Sequence, residues 1–195
     1  MANNNFFAII SRMKYINRWS LMRNTISENL SEHSLEVAFI AHLLCVIRNK
    51  RFGGNVNAER AALIAMYHDT TEIITGDLPT PVKYYNKDIR DIYASVEKNA
   101  QSKLLSQLPD DLKGEYELII SGGDDEEIKK LVKAADKISA LIKCIEERRM
   151  GNKDFLQAEE ATLKCIKAMN IKEADVFLDE FIAGYGLTLD ELTKE

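Results

Sequence analysis

Apolar positions recur along this chain at the 3.6-residue period of helices, and no stretch shows the alternation of a strand pair. Phe6, Ile9, Ile10, Met13 and Ile16 share one face, which predicts a first helix over about residues 4–16. Residues 17–30 break the pattern and read as an ordered loop. Ser31 reads as the N-cap of a second helix carrying Leu35, Phe39, Leu43 and Val46, which ends near Phe52-Gly53-Gly54. Asn57 can cap a third helix, from Ala58 to about Thr75, and Gly76 to Pro81 follows as a rigid loop. Ile89, Ile92, Val96, Ala100 and Leu104 anchor a fourth helix, stopped by Leu108-Pro109-Asp110.

A short helix follows over Asp111 to Ile120, closed by Gly122-Gly123. The acidic run Asp124 to Glu127 then opens a long helix with Ile128, Leu131, Ala135, Ile138, Leu141 and Ile145 on one face. Acids in a first turn complement the helix dipole, so this run is structural rather than a metal site. Gly151-Asn152 ends that helix, and residues 154–170 and 173–183 give two more amphipathic helices. With three prolines in all, long helices run uninterrupted elsewhere. No internal repeat or linker divides the chain, so the expectation is one all-α domain over residues 1–195, a compact helical bundle.

A chain of 195 residues suits a single domain. It can bury roughly 70% of its unfolded surface, so the core needs no disulfides. The net charge of −5 and the lack of a long basic run argue against a duplex nucleic acid partner. A small phosphate remains possible where a metal and an arginine reverse the sign locally. Cys45, Cys144 and Cys165 are far apart among apolar neighbours and read as buried free thiols in a reducing cytosol. No apolar run reads as a membrane span, and the start carries no signal-peptide pattern. The expected location is the cytoplasm, with no membrane partner.

Chemistry concentrates in Tyr67-His68-Asp69-Thr70-Thr71-Glu72. An imidazole and a carboxylate stand side by side, with a second carboxylate one helical turn on. His33, in Ser31-Glu32-His33-Ser34, is one of only three histidines. Taken alone it reads as a core histidine; the His68-Asp69 pair makes it a candidate ligand. Asp136, flanked by Ala134-Ala135 and Ile138, is an acid in an apolar stretch that wants a cation. Lys133 and Lys137 offer it a competing salt bridge. His33, His68, Asp69 and Asp136 therefore read as four ligands of one divalent ion. Two imidazoles and two carboxylates suit Mn²⁺, Fe²⁺, Co²⁺, Ni²⁺ or Zn²⁺ more than Mg²⁺ or Ca²⁺. Four ligands in an octahedral shell leave two positions for water or substrate, as catalysis requires. His42 falls half a turn out of phase with His33 and reads as a packing or surface residue. Glu72 shares a helical face with His68 and Asp69 and suits a general acid or base, or else is an exposed helix-end acid.

The ordered set of histidine, His-Asp and distant aspartate resembles the HD-domain metal-dependent phosphohydrolases. Within them the chain is similar to the bacterial 5′-deoxynucleotidases. The resemblance runs through Ile-Asn-Arg-Trp (16–19), Leu-Met-Arg-Asn (21–24), Ser-Glu-His-Ser (31–34), residues 52–60, Ala-Met-Tyr-His-Asp (65–69), residues 75–84 and Lys-Ala-Ala-Asp (133–136). It is dense to about residue 85, continues through 149 and loosens beyond. Ser20, Thr70 and Thr71 depart from the pattern without touching a proposed ligand.

The resemblance implies an HD-type helical bundle that hydrolyses deoxyribonucleoside 5′-monophosphates to deoxynucleoside and phosphate. It implies that Glu72 moves protons, Arg18 orients the phosphate and Trp19 lies against the sugar. Asp77, Leu78, Pro79 and Thr80 would form a substrate loop, with His33, Asp69 and Asp136 beside the substrate as well as the metal. It also implies a homodimer with cobalt as an activating ion. On residue type alone, Arg18 could equally be a surface ion pair, Trp19 a core residue and Asp77 a helix cap. Two other readings stay open from sequence: an HD hydrolase of a nucleoside triphosphate or alarmone, and a non-catalytic helical regulatory module that keeps its metal for structure.

Overall fold

A computed structural model describes residues 4–83 and 85–194, with the side chain of Thr80 outside that set. Among the described residues all regular elements are helical, and the one β contact is an isolated antiparallel bridge between Asn17 and Asn29. The all-α expectation holds. The helices are α1 (Phe6–Ile10), α2 (Leu30–Arg51), α3 (Ala58–Tyr67), α4 (Glu72–Thr75), α5 (Thr80–Lys83), α6 (Lys87–Leu105), α7 (Asp110–Ile120), α8 (Glu126–Arg149), α9 (Leu156–Ala168), α10 (Lys172–Glu180) and α11 (Leu189–Leu192). Short 3₁₀ turns cover Ser11–Tyr15, Lys153–Phe155 and Ile182–Gly186. The chain forms two compact units.

The first unit holds residues 1–23, 27–35 and 63–125. Its core is Phe6, Leu104, Leu108 and Ile120, surrounded by Ile9, Ile10, Tyr67, Leu105 and Tyr116. Aromatic edges finish the packing: the Phe6 and Tyr116 ring centroids are 5.0 Å apart and the Tyr67 and Tyr116 centroids 6.0 Å. Asn86 caps α6 by accepting from Ile89 N at 2.8 Å. Both α4 and α5 lie on α6. Thr75 and Tyr93 hydroxyls are 3.2 Å apart, and Lys83 Nζ donates to Glu97 at 2.9 Å.

The second unit holds residues 24–26, 36–62 and 126–195. Its spine is α8, whose buried residues include Ile128, Leu131, Ala135, Ile138, Leu141 and Ile145, the face read from the sequence. Both α9 and α10 lie on α8. Glu147 on α8 is fully buried, yet its carboxylate accepts from Thr25 N, Ile26 N, Asn152 Nδ2 and Lys143 Nζ. Burial alone would raise its pKa, but these four donors outweigh it and hold the acid at about 2. Arg48 on α2 pairs with Glu127 and Glu173, tying α2 to α8 and α10.

Several local expectations need correction. The cap of α2 is Asn29, not Ser31: Asn29 Oδ1 accepts from Ser31 N at 3.0 Å and Glu32 N at 3.1 Å, and Glu32 Oε2 accepts from Asn29 N in return. Leu35 and Phe39 are 48% and 67% exposed, while Val37, Ala38, Ile40, Ala41, Leu44, Cys45 and Ile47 are buried. Between Leu35 and Ile47 only Glu36 and His42 are polar, so the periodicity of α2 pointed at the wrong stripe. By length and composition alone α2 could cross a membrane, contrary to the sequence reading, but 56% of that stretch is buried inside the protein, as in a core helix. Ile92 and Val96 are exposed, so α6 is anchored by its C-terminal half, through Ala100 and Leu104. Cys165 is exposed, whereas Cys45 and Cys144 are buried. The first helix is shorter than expected and passes into the 3₁₀ turn at Ser11.

Candidate active site

The site begins with a backbone arm. Arg18 N donates to Glu28 O at 2.9 Å and Leu30 N to Ile16 O at 3.0 Å, so residues 16–18 lie antiparallel to residues 28–30. Trp19 then takes φ = 60°, a left-handed conformation that costs a non-glycine residue on the order of 1–3 kcal/mol. Its N–H donates to Asp77 Oδ2 at 3.2 Å, which ties the arm to the loop after α4. Gly76, at φ = 75°, makes the turn that delivers Asp77. Asp77 therefore holds the Trp19 backbone.

Side chains gather on this arm. Arg18 Nη1 donates to Glu28 Oε2 at 2.7 Å and lies 2.9 Å from His33 Nδ1. Trp19 Nε1 donates to the same Glu28 oxygen at 3.1 Å. The Asn29 cap sets the first turn of α2 and with it the rotation of His33, which is buried.

The third helix stops at Tyr67, earlier than the sequence pattern suggested, so His68 and Asp69 lie in a tight turn and not on a helix. The physical reason lies in local hydrogen bonds. His68 Nδ1–H donates to Ala65 O at 2.7 Å and Thr70 Oγ1–H donates to Tyr67 O at 2.8 Å, both one residue short of the α-helical reach. Glu72 N bonds Asp69 O at 3.0 Å and starts α4. Met66, two residues before His68, is exposed.

This turn brings His33, His68 and Asp69 together. Asp69 Oδ2 lies 3.1 Å from His68 Nε2 and 3.6 Å from His33 Nε2, and the two imidazole centroids are 5.3 Å apart. With its Nδ1 proton given to Ala65, neutral His68 presents a lone pair at Nε2. A lone pair facing a carboxylate oxygen at that distance calls for a cation or proton between them. The donor set thus fits a divalent metal.

Glu72 is only 6% exposed, and its Oε2 has no hydrogen-bond partner among the described residues. Burial first, then the charges of Asp69 and Asp77, raise its pKa to about 8, so it keeps its proton at neutral pH. Burial also raises Asp77, against the pull of Arg18. Lys83 stays charged: burial opposes its ammonium, but the hydrogen bond to Glu97 outweighs that and raises its pKa.

Asp136 lies on α8 in the second unit, with Lys137 Nζ 3.0 Å from its Oδ2, one of the two competing partners foreseen. Leu78 and Pro79 are half-buried in the loop between α4 and α5, and the side chain of Thr80 lies outside the described residues. His42 is exposed, as its phase on α2 required. Sequence reasoning missed Glu28 and Lys83. Glu28 stands nine residues after Trp19 in the sequence, and no local pattern marks it.

A family model described as 5′-deoxynucleotidase YfbR-like matches residues 5–185. The chain belongs to the YfbR-like 5′-deoxynucleotidase family. It is 48% identical over 196 residues to the 5′-deoxynucleotidase YfbR of Escherichia coli, covering 100% of this chain and 98% of that protein. The YfbR protein of Shigella boydii matches to the same extent. Among solved structures, an HD-domain phosphohydrolase from Listeria innocua superposes with a TM-score of 0.82 at 23% identity, covering 99% of this chain and 97% of that one. A cyanophage S-2L HD phosphohydrolase, bound to dA and one catalytic zinc ion, gives a TM-score of 0.66 at 18% identity, covering 91% and 96%. These two establish the HD fold for a chain whose family is already fixed.

Proposed function

We propose that this member of the 5′-deoxynucleotidase family hydrolyses deoxyribonucleoside 5′-monophosphates to deoxynucleoside and phosphate, with His33, His68, Asp69 and Asp136 holding one divalent metal ion. The observation that carries the reading is the pair of Nε2 atoms facing one Asp69 oxygen beside a buried, protonated Glu72. The carboxylate of Asp136 has the donor chemistry to complete such a set. Two imidazoles with carboxylates favour a first-row transition metal, and cobalt is the ion we expect to activate best, with manganese, zinc, nickel or iron able to replace it. When bound, the ion supplies charge neutralisation and a more acidic water, two of the largest contributions available to phosphomonoester hydrolysis.

The other roles belong to the chain's own side chains. Glu72 carries a proton at neutral pH and is the group to deliver it to the departing 5′-oxygen. Arg18 offers a planar donor fork to the phosphate. Trp19, pinned through both its backbone and indole N–H groups, lies against the sugar and disfavours a ribose 2′-hydroxyl. Asp77, Leu78, Pro79 and Thr80 line the nucleoside side. We read residues 1–195 as one HD-type domain, because the family match from 5 to 185 takes in most of both units. The rest of the reading is a cytoplasmic homodimer without a duplex nucleic acid partner, the last resting on the net charge of −5.

The test is a panel of deoxy- and ribonucleotides assayed for phosphate release with several divalent ions. Phosphate released from deoxynucleoside monophosphates, and lost in Glu72→Ala while metal stays bound, supports the reading. Metal retention without turnover of any phosphate ester overturns it.

A further inference from the structure

Glu28 stands between the arm that carries Arg18 and Trp19 and the helix that carries His33. Its Oε2 accepts from both Arg18 and Trp19, while its Oε1 lies 4.0 Å from His33 Nδ1. Arg18 Nη1 is closer to that nitrogen, at 2.9 Å. A guanidinium has donors and no acceptor. In this arrangement His33 Nδ1 must therefore accept, and the proton of the neutral ring sits on Nε2. That tautomer cannot offer Nε2 to a metal. Ligation through Nε2 requires the proton on Nδ1, where it needs an acceptor of its own. Nδ1–H and the Arg18 N–H would then be two donors facing each other. Glu28 offers a carboxylate oxygen 4.0 Å from Nδ1.

We propose that Glu28 is a positioning residue that couples metal uptake to the release of Arg18 from His33. It receives the His33 Nδ1–H when Nε2 ligates a divalent ion, and Arg18 leaves His33 in the same event. The ring stays neutral throughout: one proton departs from Nε2 to solvent and one returns from solvent to Nδ1. Trp19 remains tethered to the other oxygen. Metal uptake thus breaks the Arg18–His33 hydrogen bond, while the Arg18–Glu28 pair can persist. The inference rests on the metal reading above.

The wild-type chain, labelled with ¹⁵N-histidine, tests it directly by NMR with and without zinc, which is diamagnetic. The expected result is His33 with its proton on Nε2 before zinc and on Nδ1 after. A His33 ring protonated on Nδ1 in the metal-free protein overturns the proposal. Zinc affinity by chelator competition gives a second readout. Glu28→Ala should bind zinc about 10–100-fold more weakly, the usual cost of losing the partner behind a ligating histidine. Arg18→Ala should bind zinc at least as tightly as wild type; a tenfold loss there contradicts the coupling. A wild-type chain that takes no zinc sinks the metal reading and this inference with it. A chain that takes zinc equally well in Glu28→Ala sinks this inference alone. If Glu28→Ala fails to fold, the wild-type NMR result still decides.

Discussion

Replacing Glu72 with glutamine should make the protein more stable in alkali, although we propose this residue as the proton donor. In the unfolded chain this acid loses its proton near 4.5, whereas the folded chain holds it to about 8. Between those values unfolding releases a proton, so rising pH favours the unfolded state. The folded chain loses stability from about pH 4.5 upward, and the loss levels off above about pH 8. At about 1.4 kcal/mol per pH unit the full penalty is on the order of 5 kcal/mol. Glutamine mimics the protonated acid in shape and stays neutral, so the variant escapes the penalty. The difference between the two proteins should be near zero at pH 4 and reach several kcal/mol by pH 9, which for a chain of this size is roughly 10–20 °C in melting temperature. Calorimetry in a chelating buffer from pH 4 to pH 9 measures it without interference from bound metal. Other titrating groups, Glu147 included, cancel in the comparison. Parallel stability curves for wild type and Glu72→Gln would mean that Glu72 ionises normally and that the proton-donor role lacks its basis.

Asp136→Ala should lose both metal and phosphate release; elemental analysis showing unchanged metal content would remove Asp136 from the ligand set. Trp19→Ala should lower the ratio of kcat/KM for deoxy- over ribonucleoside monophosphates by about tenfold, and a variant with full deoxyribose preference refutes that role. Glu147→Gln leaves the buried Lys143 without its counter-charge and should cost about 3–5 kcal/mol in chemical denaturation at pH 7. Because the folded Glu147 titrates at about 2, below its ordinary 4.5, its contribution in wild type is present above 4.5 and fades as pH falls toward 2, so the gap to the variant should narrow in acid.

The chemistry of this chain was more legible than its local geometry. His33, His68 and Asp69 were found because imidazoles are scarce here and a His-Asp pair in an apolar run has few structural explanations. The turn that presents them was not found, because apolar spacing continues through it. What breaks α3 is a pair of side chains, His68 and Thr70, bonding back three residues, and no hydrophobic pattern records that. Helix α2 shows a related limit. When nearly every position is apolar, period identifies the helix but not its inward face, and Leu35 and Phe39 were misassigned for that reason. Asp77 had a legible residue type and an illegible partner, since its bond to Trp19 N spans 58 positions of chain. Glu28 was missed because an acid in a loop carries no signal until the arginine and tryptophan before it fold back.

Asn29 does two jobs at once: it pairs with Asn17 across the arm and it caps the helix that bears His33. Length changes in the two flanking stretches should therefore be tolerated very differently. An extra residue beside Leu21, at the exposed tip of the excursion, can bulge outward and leave both jobs intact. One inserted between Asn29 and His33 would rotate the imidazole by about 100° and carry it off its neighbours. Natural variation in chain length should gather on the first side of Asn29 and stay away from the second.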